Sequence, residues 1–359
     1  MALKIEVVPH ELEFLFEAGT SRGVLRSKKV WFLKVYDTNN PEVIGWGEAG
    51  PLSGLSVDDV PDFDEKLAKT IEGLNGKSIP ASVDDIPKML IYISEKLPSV
   101  RFGMETALLD LMNGGEKRIF ENRFYQSGDN IQINGLVWMG DKELMMNRLE
   151  EKMEQGFKCI KVKIGAIDFE EEMKLLEKAR SKFTARELEL RVDANGAFEP
   201  KEAKSVLKRL KELEVHSIEQ PIKAGQVLEM RDLCASTPVP IALDEELIGY
   251  TTFAEKYWLL KVIQPQFIIL KPSLIGGFAA TQQWIEVAAE FGIGWWITSA
   301  LESNIGLNAI SQFASSLLVS LPQGLGTGSL YKNNIVSPLT VQRDQLHYDR
   351  SKKWGQVIK

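Results

Sequence analysis

Hydrophobic and polar positions alternate with a period of two over residues 4–8 and 29–36, as half-buried strands require, and a helical period follows through roughly residue 125. The first third of the chain therefore reads as α+β. Two glycine-bearing segments, 19–23 and 45–51, are expected to be connections that cap whatever follows. Leu108, Leu109 and Leu111, set among good helix formers, predict a buried helix over 103–112 that ends near Gly114 and Gly115. A polar stretch over 118–130 separates this region from the remainder.

From Ile131 onward short β-rich runs alternate with amphipathic helical stretches, the sign of repeated βα units around a parallel sheet. Eight strands are predicted, at 131–137, 159–164, 188–193, 216–219, 240–244, 267–271, 294–298 and a short last one at 324–326, with helices such as 142–155, 169–182, 201–213 and 278–291 between them. The expected fold class is α/β, a (β/α)8-type barrel with an N-terminal α+β capping domain. Residues 1–125 would form the cap, 126–325 the barrel, and 326–359 a C-terminal segment returning to the cap. An open doubly wound sheet is the alternative. No glycine-rich phosphate fingerprint follows the first strand, which argues against a dinucleotide or P-loop site.

Composition removes several function classes. A chain of 359 residues that is 44% hydrophobic can bury an ample core without disulfide or metal staples. With 43 basic against 50 acidic side chains, a net charge of −7 and no long run of either sign, neither nucleic acid nor an anionic membrane is expected as the main partner. Cys159 and Cys234 are the only cysteines, too few for a disulfide framework or a zinc clip, and Cys159 reads as a core thiol. The most apolar runs, 267–270 and 292–298, fall far short of the ~20 residues of a spanning helix. The first ten residues lack the basic flank and apolar core of a signal peptide, so a soluble cytoplasmic protein is expected. His10, His216 and His347 have neither ligand nor triad spacing, and Trp295-Trp296 reads as strand core.

Against this background, ionisable residues recur at the carboxyl ends of consecutive predicted strands: Lys161 and Lys163, then Asp193, Glu219, Asp244 and Lys271, about 25–30 residues apart. In a barrel they converge on one mouth, where the loops after the strands surround a shared cavity. Alternation puts Lys161 and Lys163 on one side of their strand and Val162 on the other, and it separates Arg191 and Asp193 from Val192 in the same way. If the valines face the helices, the charges face the interior, where they must compensate one another or hold an ion. Three carboxylates without a histidine or cysteine beside them suit a hard cation, Mg²⁺ by preference and Mn²⁺ as the alternative.

Amines flanking a ligand on such an ion point to carbon-acid chemistry, with a small-molecule carboxylate as substrate. Abstraction of a proton next to a carboxylate needs a base on one side and stabilisation of the developing enediolate on the other. A second lysine beside the base disfavours its charged form, the relation expected of Lys161 and Lys163. Taken singly, each of these residues would more often be a surface charge or a structural ion pair; the set of six favours function. Arg191 is divided between lining the site and pairing with the buried carboxylates, and Asn195 and Glu245 are divided similarly. A metal-independent aldolase using Lys163 or Lys271 as a Schiff base is a different class, but leaves the carboxylates without a role. A non-catalytic protein that has kept the barrel is a third.

The segments Lys161-Val162-Lys163, Asp193-Ala194-Asn195, Ile218-Glu219-Gln220-Pro221, Asp244-Glu245 and Lys271-Pro272 resemble the muconate-lactonizing group of the enolase superfamily over nearly the whole chain. Lys271 to Gly277, Ser299 to Asn304 and Gly324 to Gly328 are similar to the o-succinylbenzoate synthases of menaquinone biosynthesis. This resemblance implies Asp193, Glu219 and Asp244 as Mg²⁺ ligands, Lys163 as the base, Lys161 tuning it, and Lys271 as a cation on the opposite face. It also implies that Ser299, Glu302 and the final glycines line the pocket, and that 19–25 and 45–55 are capping loops. The reaction implied is dehydration of a cyclohexadiene carboxylate to o-succinylbenzoate. N-succinylamino acid racemases share the same lysines and ligands and remain an alternative. Dipeptide epimerases carry Asp-x-Asp where this chain has Gly326-Thr327-Gly328, and are disfavoured.

Overall fold

A computed structural model describes residues 2–20, 23–317 and 319–357; Ser21 and Arg22, in the predicted 19–23 loop, lie outside it. The chain opens with β1 (Leu3–Thr20), β2 (Gly23–Asp37) and β3 (Asn40–Ala49), paired antiparallel in the order β1-β2-β3. Three helices follow, α1 (Phe63–Leu74), α2 (Ile86–Leu90) and α3 (Pro98–Met112). The predicted 45–51 connection is instead strand through Ala49, and its glycines serve packing. A Cβ at Gly45 would stand 2.0 Å from the Ala107 carbonyl oxygen, and one at Gly47 1.9 Å from that of Gly103, so only glycine lets α3 lie this close to β3.

After α4 (Arg123–Gln126) the predicted first barrel strand is broken into β4 (Ile131–Gln132) and β5 (Gly135–Val137). There follow α5 (Lys142–Glu154), β6 (Cys159–Lys163), α6 (Phe169–Lys182), β7 (Glu189–Asp193), α7 (Pro200–Glu212) and β8 (Ser217–Glu219). The alternation continues with α8 (Val227–Ser236), β9 (Ile241–Leu243), α9 (Phe253–Ile263), β10 (Phe267–Leu270), the short α10 (Pro272–Ile275), α11 (Phe278–Glu290), β11 (Gly294–Ile297) and α12 (Asn304–Ser316). Strands β5 to β11 form one parallel sheet in strict chain order. A doubly wound sheet reverses its order at a switch point, so that alternative is excluded.

The predicted strand at 324–326 is not a strand. Gln323 and Gly324 instead make isolated parallel bridges, the first to Ile133 and the second to Thr298. The Gln323 N–H donates to the Gln132 carbonyl at 2.8 Å and the Gly324 N–H to that of Ile297 at 2.8 Å, so these two residues join the end of β4 to the edge strand β11. A Cβ at Gly324 would lie 2.4 Å from Thr298 Oγ1. Residues 330–332 then run beside β1, where the Leu15 N–H donates to the Leu330 carbonyl and the Lys332 N–H to that of Glu13. The final hairpin, β12 (Leu339–Gln342) and β13 (Gln345–Tyr348), adds to β4.

Two buried carboxylates tie the N-terminal elements to the helices around the parallel sheet. Glu105 of α3 accepts the Phe278 and Ala279 N–H groups at 2.6 and 3.1 Å, satisfying free donors at the start of α11. Glu48 of β3 does the same for α12 through the Ser303 and Gly306 N–H groups. Burial pushes Glu105 up to about 7, and Asp58 and Asp110 up to about 6. These groups titrate near 4 in the unfolded chain, so between about pH 4 and pH 7 the folded state binds more protons, and stability falls as pH rises. The urea midpoint is expected to drop between about pH 5 and pH 8, and to drop less in Glu105→Gln. An identical fall in that variant would remove Glu105 as a cause.

Candidate active site

The register of the parallel sheet sets the site. Lys163 pairs with Asp193, Asp193 with Glu219, and Glu219 with Ala242, so the first three side chains stand level across adjacent strands. Asp244 lies two residues past Ala242 and returns to the same face one step higher, and Lys271 follows β10 directly. Val162 and Val192, between the charges, are buried in the hydrophobic core.

The charges meet as alternation requires. Lys161 Nζ lies 2.7 Å from Glu219 Oε2 and 3.1 Å from Asp193 Oδ2. Lys163 Nζ donates to Asp193 Oδ2 at 2.9 Å and to Asn195 Oδ1 at 2.7 Å, while Lys271 Nζ donates to Asp244 Oδ2 at 2.5 Å. Asp193, Glu219 and Asp244 are all buried, and one oxygen of each lies within 4.8 Å of the others.

The electrostatics follow from this crowding. Burial works against charge on Lys161 and Lys271, yet the facing carboxylates outweigh it and raise both pKa values. Burial also opposes charge on Asp193, but Lys161, Lys163 and Lys271 together hold its pKa well below the usual range. Glu219 goes the other way: burial, reinforced by Asp193 and Asp244, pushes it up to about 7. Its Oε1 is buried without a hydrogen-bond partner. Three converging carboxylates, one with an unmatched oxygen, are a donor set that fits a divalent, oxygen-loving cation.

A cavity of about 640 Å³ opens above this cluster, with Lys161, Lys163, Asp193, Asn195 and Lys271 in its lining. Phe16, Leu25 and Leu52 reach it from the N-terminal domain, the last two from segments expected to cap the site. The lining thus sets charged and polar groups beside apolar side chains such as Phe16, Leu25, Leu52, Trp138 and Leu301, a mixture that binds a small organic anion by its carboxylate and its carbon skeleton.

The remaining predicted residues divide. Asn195, with φ of 45°, bridges Lys163 to Glu245, whose Oε1 accepts from Asn195 Nδ2 at 2.9 Å. Ser299 lines the cavity and its hydroxyl pairs with that of Thr327 at 2.6 Å. Arg191, divided between lining the site and pairing with the acidic trio, does neither. Its guanidinium turns toward the opposite end of β7, to Glu189 at 2.7 Å and the Pro322 carbonyl at 2.9 Å, and lies over Trp296. Lys161 already stands between Asp193 and Glu219, which leaves Arg191 the acid two residues below. Glu302, expected in the pocket wall, is buried behind it, its oxygens taken by the Ser273 hydroxyl and the Ala300 N–H.

Sequence reading missed Thr327, Trp138 and Leu301 in the lining. It also missed Gln220 as a hub: its Oε1 accepts the Asp244 and Glu246 N–H groups at 3.2 Å each, and its carbonyl accepts that of Gly196. The only signal for Gln220 was its place directly after Glu219.

Residues 144–350 match the enolase C-terminal domain-like family. The o-succinylbenzoate synthase of Desulfotalea psychrophila is 44% identical over 353 residues, 92% of this chain and 95% of that protein. The crystal structure of MenC from D. psychrophila LSv54 superposes with a TM-score of 0.85 at 39% identity, covering 97% of this chain and all of the other. A substrate-liganded L-Ala-D/L-Glu epimerase from Bacillus subtilis has the same fold, with a TM-score of 0.83 at 20% identity over 97% of this chain and 96% of the other. A matching family over more than half the chain, together with a relative this similar along nearly its full length, means that the chain belongs to the enolase C-terminal domain-like family.

Proposed function

We propose that the chain is an o-succinylbenzoate synthase, which dehydrates 2-succinyl-6-hydroxy-2,4-cyclohexadiene-1-carboxylate to o-succinylbenzoate. The 44% identical relative bears that name. In the site itself, the reading is carried by three buried carboxylates within 4.8 Å of one another, flanked by lysines from β6 and from the end of β10. Asp193, Glu219 and Asp244 would hold Mg²⁺, or Mn²⁺, which supplies positive charge against the substrate carboxylate as the enediolate develops.

The chain's own residues do the rest. Lys163 takes the proton from C1, beside the carboxylate. Asp193 and Asn195 hold its Nζ at 2.9 and 2.7 Å and so orient the amine. It then returns the proton to the C6 hydroxyl, which leaves as water while the C1–C6 double bond forms and the ring becomes aromatic. Aromatisation makes the elimination favourable, so the protein has mainly to lower the barrier to the enediolate. Lys271 stays an ammonium on the opposite flank, and Lys161, between Asp193 and Glu219, tunes the electrostatics around Lys163. An aldolase would leave the three carboxylates idle.

The same reading extends to the architecture. The bridges of Gln323 and Gly324 would take the place of an eighth strand, closing a (β/α)8 barrel over 126–325 beneath a cap of residues 1–125, with 326–359 returning across both. No helix among the described residues is long and apolar enough to cross a membrane, and two free, buried thiols fit the reducing cytoplasm.

Lysines on opposite flanks are also what racemisation of N-succinylamino acids needs, so one assay separates the two. With Mg²⁺ present, the protein is expected to dehydrate the cyclohexadiene carboxylate with a higher kcat/KM than it racemises any of a panel of N-succinylamino acids. Racemisation alone would overturn the proposal. Chelator should abolish turnover, and borohydride should trap no adduct.

A further inference from the structure

Apart from the acidic trio, a second buried polar cluster joins the N-terminal sheet to the wall of the same cavity. Lys28 of β2 is buried, and its Nζ donates to the Ala300 and Leu301 carbonyls at 3.0 Å each. A buried ammonium persists only where its donors are taken up, and here the acceptors belong to one loop between β11 and α12. The Leu301 carbonyl accepts a second bond, from the Tyr331 hydroxyl at 2.6 Å. Leu301 has φ of 63°, a left-handed backbone that a leucine keeps only where its surroundings over-determine it. Ala300 and Leu301 both line the cavity.

The loop is held from its other side as well. The Ala300 N–H donates to Glu302 at 2.8 Å, and the second oxygen of Glu302 accepts the Ser273 hydroxyl, two residues beyond Lys271. Glu48 takes the Ser303 N–H at 2.9 Å. The wall is therefore held both by Glu302 and Tyr331 and, from the N-terminal sheet, by Glu48 and Lys28, of which Lys28 bonds the Ala300 and Leu301 carbonyls directly.

We propose that Lys28 is a positioning residue for substrate binding: from the N-terminal sheet it holds the left-handed Leu301 in place, and with it the cavity wall against which the substrate's carbon skeleton rests. This rests on the cavity being the substrate site, as read above. Lys28 touches no reacting atom, so its loss acts on binding common to ground and transition states.

Lys28→Met, which fills the same space without the charge, is expected to raise KM about tenfold while kcat stays within about threefold. Mg²⁺ affinity, measured by calorimetry, should not change. Tyr331→Phe, which removes only a hydroxyl, should raise KM about threefold, and the double variant should fall short of the product of the two effects. If Lys28→Met does not fold, Tyr331→Phe alone decides. A KM within about twofold of the parent in every variant that folds, whatever its melting temperature, would overturn the proposal. Each ratio is taken on whichever substrate the parent protein turns over, so a wrong substrate assignment shows in the parent and leaves the ratios readable.

Discussion

Lys163→Ala is expected to lose about 10³-fold or more in kcat for dehydration, with Mg²⁺ affinity within about threefold of the parent protein. Two features set this expectation. Lys163 lines the cavity, and both of its hydrogen-bond partners are short polar side chains that hold the amine without blocking it. No second amine on that flank substitutes for it, because Lys161 is engaged by Asp193 and Glu219. The carboxylates that would bind the cation are untouched, and Asp193 keeps Lys161 as a counter-charge. Single-turnover measurement with saturating substrate isolates the chemical step, and a variant retaining a tenth of parental turnover would exclude Lys163 as the base.

Glu219→Gln should weaken Mg²⁺ binding by about 10²-fold, and turnover should fall with it until the ion is restored by mass action. The substitution keeps the shape and removes one charge from a crowded trio. Burial and the neighbouring carboxylates already disfavour that charge, so the metal-free protein should lose little stability. The Mg²⁺-induced rise in melting temperature, in contrast, should shrink sharply at any fixed ion concentration. Paired thermal scans with and without Mg²⁺ read this difference, and an undiminished shift would mean that Glu219 is not a ligand.

Much of the site was legible because its determinants are local. A strand alternates its faces whatever surrounds it, so Lys161 and Lys163 had to share a side opposite Val162. A βα unit has a characteristic length, which is why Asp193, Glu219, Asp244 and Lys271 recur at strand ends. Less legible were the elements that depend on closure. The short run at 324–326 looked like a strand, yet its pairing comes down to isolated bridges at Gln323 and Gly324, to Ile133 and Thr298. Gly45 and Gly47 looked like a connection, because the same residue type serves a loop and a close helix–strand contact, and nothing nearby in sequence says that α3 lies against them.

The order of residues by itself determined the βα rhythm, the side of each strand that carries charge, and the residue types available at the mouth. Tertiary structure decided which charge meets which. Arg191 takes Glu189 because Lys161 already occupies the space between Asp193 and Glu219. Lys28 reaches Leu301 across 273 residues because folding brings β2 over the loop after β11. Such choices follow from burial: a desolvated charge takes the partner within a few ångströms, and that neighbour is assigned by the packing of whole domains, which no local pattern encodes.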